Sequence, residues 1–231
     1  MVNWQQYSKT ELRSFAVETF REGGGSRPDV LLLEKEGEHV VLKDHNGMDP
    51  AFAKLIGPLL TWREAKAMRR LINVQGVPEL LFCPDKRSLL MEYVNAKQVV
   101  NVDLNDYEPQ QYLNNLTDLI ECMHVNGIAH GDLRSPTNAL IDEHGKAALV
   151  DFVASIGRGS ILNVINRYMF NKMCLVDVSA ITKLKKRIAP QLLDDNDLES
   201  ADIAGKKGMI MRSIGQCIRK LSRRLFTKKS G

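Results

Sequence analysis

The chain has 231 residues, 44% of them hydrophobic, and a net charge of +4, which is enough apolar material for a sizeable core in one large domain or two small lobes. Its four cysteines, Cys83, Cys122, Cys174 and Cys217, form no CxxC pair and no Cys/His cluster of zinc spacing, so neither a disulfide framework nor a structural metal site is suggested. No run of 18 apolar residues occurs and MVNWQQYSKTELRSF shows no apolar stretch behind a basic leader, so a membrane span and export are not expected and a reducing cytoplasm is.

Charge is unevenly spread. Residues 155–231 hold 16 Lys+Arg against 6 Asp+Glu, a net +10, which leaves −6 for residues 1–154. The two ends of the chain therefore face different partners.

In chain order, LRSFAVETF is a short amphipathic start. REGGGSRPDVLLLEKEGEHVVLKD then reads as a glycine loop, a strand, a tight Glu-Gly turn and a second strand, because Val and Leu runs are bounded by turn formers. PLLTWREAKAMRRLI, residues 58–72, has Pro58 at a helix start and Leu60, Ala65, Met68, Leu71 and Ile72 near helical period. GVPELLFCPDKRSLLMEYV reads as two more strands around a Pro-Asp turn. NVDLNDYEPQ is a polar connection, and a lobe boundary is placed at Val94–Asn95. In EPQQYLNNLTDLIECMHVNGI, Tyr112, Leu113, Leu116, Leu119, Ile120 and Met123 share a helix face that Gly127 ends. That helix delivers the chain into AHGDLRSPTN, and ALIDEHGKAALVDF is a hairpin turning at Gly145. Beyond Asp151 the pattern is mostly helical and increasingly basic.

These pieces carry a recognisable order: a glycine loop (Gly23, Gly24, Gly25), Lys43 closing a strand (VVLK), Glu64 on the next helix, MEYV, HGDLRSPTN and VDF. Phosphoryl transfer needs donors around the phosphates, a divalent metal and a carboxylate to orient the attacking hydroxyl. The order resembles the protein-kinase-like fold over about Gly23–Phe152. That resemblance implies an α+β, two-lobed molecule: residues 1–94 as an N-lobe of antiparallel sheet plus one helix, residues 95–231 as a small, mainly helical C-lobe. It implies ATP and Mg2+, with Mn2+ as a substitute. Lys43 would hold the α- and β-phosphates and pair with Glu64, since a buried ammonium needs a carboxylate. Glu92 and Val94 would offer backbone groups to adenine, with Met91 as the gatekeeper behind them and Leu140 on the cofactor side. Asp132 would orient the hydroxyl, Arg134 would stand near the transferred phosphate, and Asn138 and Asp151 would hold the metal.

Three departures qualify the match. Asn138 follows Asp132 by six residues rather than the family's five, and Pro136 is placed to pin the enlarged turn. Gly131 replaces the Arg with which many kinases read a phosphorylated loop. DFG becomes DFV, and no APE motif follows. HGD with a bare VDF, a small C-lobe and DFVASIGRG look more like the RIO-type and lipopolysaccharide core (Kdo/heptose) kinase branch, which implies a hydroxyl on a lipid-linked sugar as acceptor. A protein serine or threonine is the near alternative.

Residues 205–231 contain nine Lys+Arg and no acid, with Ile210, Ile214, Cys217, Ile218, Leu221, Leu225 and Phe226 at helical spacing. This reads as a basic amphipathic helix able to lie on an anionic membrane surface, and Ser160–Phe170 could add a second apolar contact. Packing on the C-lobe with the cations in water explains it equally well. A pseudokinase or scaffold remains an alternative to the enzyme. Nucleic-acid binding is not expected, because no interleaved aromatic platform accompanies the basic tail. His130 is assigned a structural hydrogen bond and no chemistry.

Overall fold

A computed structural model describes residues 2–103, 107–160 and 162–193. The expected basic helix of 205–231 and most of the acidic stretch LLDDNDLES lie outside the described residues.

The N-terminal half is built on a five-stranded antiparallel sheet ordered β1-β2-β3-β5-β4, with β1 Ala16–Arg21, β2 Asp29–Lys35, β3 Glu38–Asp44, β4 Leu80–Asp85 and β5 Ser88–Glu92. Side chains alternate faces along a strand, and that alternation separates two cores. Leu31, Leu33, Val40, Leu42 and Leu90 meet Val2, Trp4 and Leu12 on one face. Leu89 and Met91 point the other way, into a larger core shared with Ala67 and Met68 of α3, Gly57–Arg70, and with Leu71 just after it. The β2–β3 turn falls at Glu36 (φ 53°) and Gly37 (φ 79°), the paired positive dihedrals of a two-residue hairpin turn.

Three details differ from the sequence expectation. LRSFAVETF is not one amphipathic element. Ser8 and Glu11 form a reciprocal capping box that starts α1, Lys9–Ser14, and Ala16 onward turns into strand because β2 offers a partner. The N-lobe also carries three helices instead of one, since Pro50 at N1 opens an extra short helix, α2 (Pro50–Leu55), ahead of α3. Finally, Pro84 and Asp85 stay inside β4, an edge strand with irregular register that tolerates proline. The reversal occurs at Lys86–Arg87, where the Asp85 carboxylate accepts from the Arg87 N–H at 2.7 Å and the Ser88 hydroxyl at 2.7 Å.

After β5 the chain leaves the sheet, and β6 (Ala96–Gln98) pairs with β8 (Ala139–Asp142), which pairs with β9 (Ala147–Leu149). α4, Pro109–Val125, buries Tyr112, Leu113, Leu116, Leu119, Ile120 and Met123, the face read from the sequence. Each fully buried residue of that set contributes roughly 1.5–3 kcal/mol, and Leu116→Ala would cost about 2–5 kcal/mol. Gly127 closes α4 at φ +74°. β7 (Ile128–Ala129) pairs with β10 (Ile156–Gly157), and the 25-residue α5, Val164–Ile188, packs along α4 and behind β7. The chain segments Gly131–Asn138 and Val150–Ala154 are thereby held at the mouth between the two halves.

Candidate active site

Lys43, near the end of β3, is almost fully buried, and its register against β2 and β5 is unbroken. Its Nζ lies 2.9 Å from Glu64 Oε1 and 2.8 Å from Glu64 Oε2, and 2.8 Å from Asp151 Oδ1. Burial alone would push the ammonium's pKa down, but Glu64 and Asp151 outweigh it and the net direction is up. Glu64 is shifted up because burial dominates over Lys43. Asp151 moves the other way. Burial raises it, yet the adjoining Lys43 ammonium holds it down at about 2. The cluster therefore carries one cation and two carboxylates, the second anion sitting where a divalent metal would compensate it.

Asp151 has left-handed backbone, φ 69° and ψ 69°, an uncommon conformation that persists only when the surroundings impose it. Two contacts do so. The next N–H, of Phe152, donates to Glu64 Oε1 at 3.2 Å, and the Phe152 ring, fully buried, sits 4.8 Å from the His130 ring.

The catalytic-type loop is held from behind. Asp177, on the buried face of α5, accepts the His130 N–H at 2.7 Å and the Gly131 N–H at 2.9 Å, and its Oδ2 lies 3.1 Å from His124 Nε2. The His130 Nε2–H donates to the Val150 carbonyl at 3.0 Å and its Nδ1 accepts the Asp132 N–H at 3.3 Å. That pattern requires a neutral ring, consistent with burial pushing its pKa down. His130 is thus the structural residue the sequence suggested. Gly131 has φ +81°, and a Cβ there would stand 2.8 Å from the Ala154 carbonyl oxygen, so no larger residue fits where many kinases carry Arg.

The longer turn after Asp132 is absorbed by a single 3-10 turn, Pro136–Asn138, with Pro136 at its first position. The Asn138 side-chain amide donates to the Asp132 carbonyl at 3.1 Å, and its backbone carbonyl accepts from Val150. Asn138 and Asp151 consequently border the same cavity.

That cavity measures about 300 Å³. Val30, Val41, Met91, Leu140 and Val150 supply apolar walls, Glu92, Tyr93 and Val94 form one edge, and Lys43, Asn138 and Asp151 the inner end. Phe20 stacks on Tyr93 over the opening, centroids 6.2 Å apart. The Val94 carbonyl accepts from Ala96 at 2.8 Å, so its N–H is the group to offer a ligand. A second cavity of about 590 Å³ adjoins it, bordered by Gly24, Gly25, Arg27, Phe52, Asp132 and Asp151. Arg21 lines both.

Two sequence candidates sit differently from the expected cradle. The N–H groups of Gly23, Gly24 and Gly25 are all engaged, with Asp29 Oδ1 at 2.7 Å, the Arg27 carbonyl at 3.1 Å and Asp49 Oδ1 at 3.1 Å. A Cβ on Gly23 would run into the Gly47 carbonyl, which explains that glycine by packing. Arg134 borders neither cavity, and its Nε and Nη2 are shielded from solvent. The cations that border both cavities are Lys43 and Arg21. Sequence reasoning passed over Arg21, Asp49 and Asp177.

The two lobes, the lysine–glutamate pair, and the aspartates on a catalytic-type loop and a following hairpin are arranged as in the protein-kinase-like fold. Part of the chain is similar to the RIO-type members of that fold. Residues 50–159 match the RIO domain family model, and the Rio2 kinase of Chaetomium thermophilum superposes with TM-score 0.59 at 19% identity, covering 83% of this chain and 64% of that one. A second structure, of that kinase's ADP/Mg2+-phosphoaspartate complex, gives TM-score 0.57 at 19% identity, over 84% and 63% of the two chains. Among curated proteins, the chain is 31% identical over 85 residues to the probable serine/threonine-protein kinase KIN1 homolog of Encephalitozoon cuniculi, 35% of this chain and 15% of that protein. It is also 31% identical over 96 residues to CBL-interacting serine/threonine-protein kinase 15 of Arabidopsis thaliana, 39% of this chain and 23% of that one. The chain spans under a quarter of the length of either of these curated relatives.

Proposed function

We propose that the chain is an ATP- and Mg2+-dependent phosphotransferase with a hydroxyl acceptor, and that the acceptor is a protein serine or threonine. The observation that carries the reading is the meeting of Lys43, Glu64 and Asp151 within 2.9 Å at the inner end of an apolar cleft whose next cavity holds Asp132. A buried charge cluster of this kind is costly without a function that uses it.

The adenine lies between Val30, Val41 and Leu140, with Glu92 and Val94 giving backbone hydrogen bonds and Met91 closing the rear. Lys43, kept in place by Glu64, holds the α- and β-phosphate oxygens. Asp151 and Asn138 fit a small hard cation: both present oxygen, and magnesium takes only one or two protein ligands, completing its shell with phosphate and water. The metal, when bound, neutralises charge developing on the transferred group. The acceptor hydroxyl enters through the larger cavity, where the Asp132 carboxylate orients it and accepts its proton. Arg21, at the boundary of the cavities, complements the triphosphate.

A protein acceptor is supported by the serine/threonine kinases among the curated relatives and by the size of the second cavity, about 590 Å³. The lipid-linked sugar acceptor and attachment to an anionic membrane form a second reading, carried by the exposed Leu162, Val164 and Ile165 at the start of α5 and by the basic composition of residues 205–231. Incubation of the purified chain with γ-labelled ATP, Mg2+, a serine/threonine-containing protein such as casein and a lipopolysaccharide core separates them. Label in protein, abolished in Asp132→Asn, is expected. Label in glycolipid alone overturns the protein acceptor, and nucleotide binding with no transfer to either, unchanged by Asp132→Asn, overturns the enzyme.

A further inference from the structure

Away from the cleft, α3 and the first turns of α5 enclose a groove of about 350 Å³. Trp62, Arg63, Lys66 and Arg70 form the α3 wall, Ile156 and Gly157 the floor, and Asn166 and Met169 the α5 wall. Three cations and no acidic residue line it. None of Lys66, Arg70, Arg167 or Lys172 is in an ion pair among the described residues. By contrast Lys9, Arg13 and Lys35 at the sheet's outer edge all reach carboxylates. Arg63 spends one N–H on the Ser155 carbonyl at 2.9 Å, and burial pushes its pKa down with no carboxylate beside it to hold it up.

Exposed apolar side chains continue the α3 wall. Leu55, Leu59 and Trp62 recur at helical spacing on the outer face of α2 and α3, each at least half exposed. A solvated structural helix spreads its cations among acids. Here cations and exposed apolar side chains share one face while the helix's acid, Glu64, is buried on the other.

We propose that this groove is a docking site for an acidic peptide segment with apolar anchors, belonging to a partner protein. The carboxylates would pair with Lys66, Arg70 and Arg63, and an apolar side chain would enter between Trp62, Ile156 and Met169. A concave groove with a backbone floor fits an extended or helical segment and does not fit a flat bilayer. A nucleic acid would look for an open aromatic face, but the Trp62 ring is already covered by the Lys66 ammonium, 4.8 Å from its centroid. Lys66 and Arg70 have no carboxylate partner among the described residues, so an anion completes them, and carboxylates are the chemistry that the groove selects.

The test is fluorescence anisotropy with the full chain and a labelled peptide in which glutamates flank a leucine and a phenylalanine. A lysine version of the peptide, phosphatidylglycerol vesicles and a single-stranded oligonucleotide serve as alternative occupants. The glutamate peptide is expected to bind, and Lys66→Glu to weaken it about tenfold or more, since like charges across an interface cost several kcal/mol. Trp62→Ala, which keeps every charge, is expected to weaken it about fivefold through the lost anchor. Lys54→Glu makes the same change in net charge on α2 outside the groove and is expected to alter binding less than about twofold. Equal loss in Lys54→Glu and Lys66→Glu, no binding of the glutamate peptide, or binding only to vesicles or oligonucleotide would each overturn the proposal. The readout is binding, so it is independent of phosphotransfer.

Discussion

The two aspartates of the cleft are held in opposite ways. Asp151 is fixed from the front, by a direct ion pair with Lys43 across the lobes and a strained backbone. Asp132 is fixed from the back, because its loop hangs on Asp177, His130 and Asn138 through backbone hydrogen bonds. The front contact is one that nucleotide and metal must enter and rearrange, so it suits a group whose partners change during turnover. The rear contacts through Asp177 and His130 use no group assigned to nucleotide or metal, so they suit a group whose position must be reproduced each cycle. One site thus combines an adjustable half and a rigid half.

Removing the carboxylate that the rigid half presents gives the largest expected effect. Asp132→Asn should lower kcat about a thousandfold, within the range for a lost acid–base group, with the Kd for ATP changed less than about threefold. Single-turnover kinetics with nucleotide titration checks both. A comparable loss of ATP affinity would show that the two halves are not separable.

Asp177→Ala attacks the same half from behind. It leaves one buried and one partly buried N–H group without acceptors, at about 1–3 kcal/mol for a buried one, so the chain should be destabilised by about 3 kcal/mol in urea unfolding and kcat should fall with it. Asp177→Asn keeps an acceptor oxygen and should recover most of the stability. If both variants match the parent, the loop is not hung on α5.

The adjustable half is exposed by acid. Asp151 is held at about 2, below an ordinary aspartate at 3.8, so its ionised form favours the folded state. That contribution is fully present above the unfolded value near 3.8 and is lost as pH falls through about 2. Thermal unfolding should therefore show no Asp151-linked change from pH 5 upward and a declining Tm below pH 4. Lys43→Met should flatten the Asp151 share of that decline.

Much of the adjustable half was legible in the sequence. Lys43, Glu64 and Asp151 are named by the resemblance of their motif order to the protein-kinase-like fold, and the structure brings their side chains together. The rear support was not. Asp177 stands 46 residues beyond Gly131 in an ordinary helical run, and a carboxylate that accepts backbone N–H groups leaves no pattern at short range. β1 was hidden for a related reason: all six of its residues are exposed, so no buried alternation marks it, and its identity depends on β2 as a partner. Arg134 shows the converse. A residue type placed correctly in the motif can still turn away from the cavity when the turn around it is longer.

The smallest expected effect tests a contact that nothing local announced. Asp49 Oδ1 accepts the Gly25 N–H at 3.1 Å and the Asp49 N–H donates to the Gly25 carbonyl at 2.9 Å, so the loop that should receive phosphate is closed on a carboxylate. Phosphate and carboxylate ask the same thing of an N–H, and they repel one another. Nucleotide must therefore displace Asp49, at the cost of one charge-assisted hydrogen bond of about 1.5 kcal/mol. Asp49→Ala should lower KM for ATP by about three- to tenfold and leave kcat within about twofold, because Asp132 and its rear supports are untouched. Asp49→Asn keeps an acceptor but loses the charge, and should fall between the two. A raised KM in Asp49→Ala would mean that the carboxylate organises the glycine loop for the phosphate instead of competing with it.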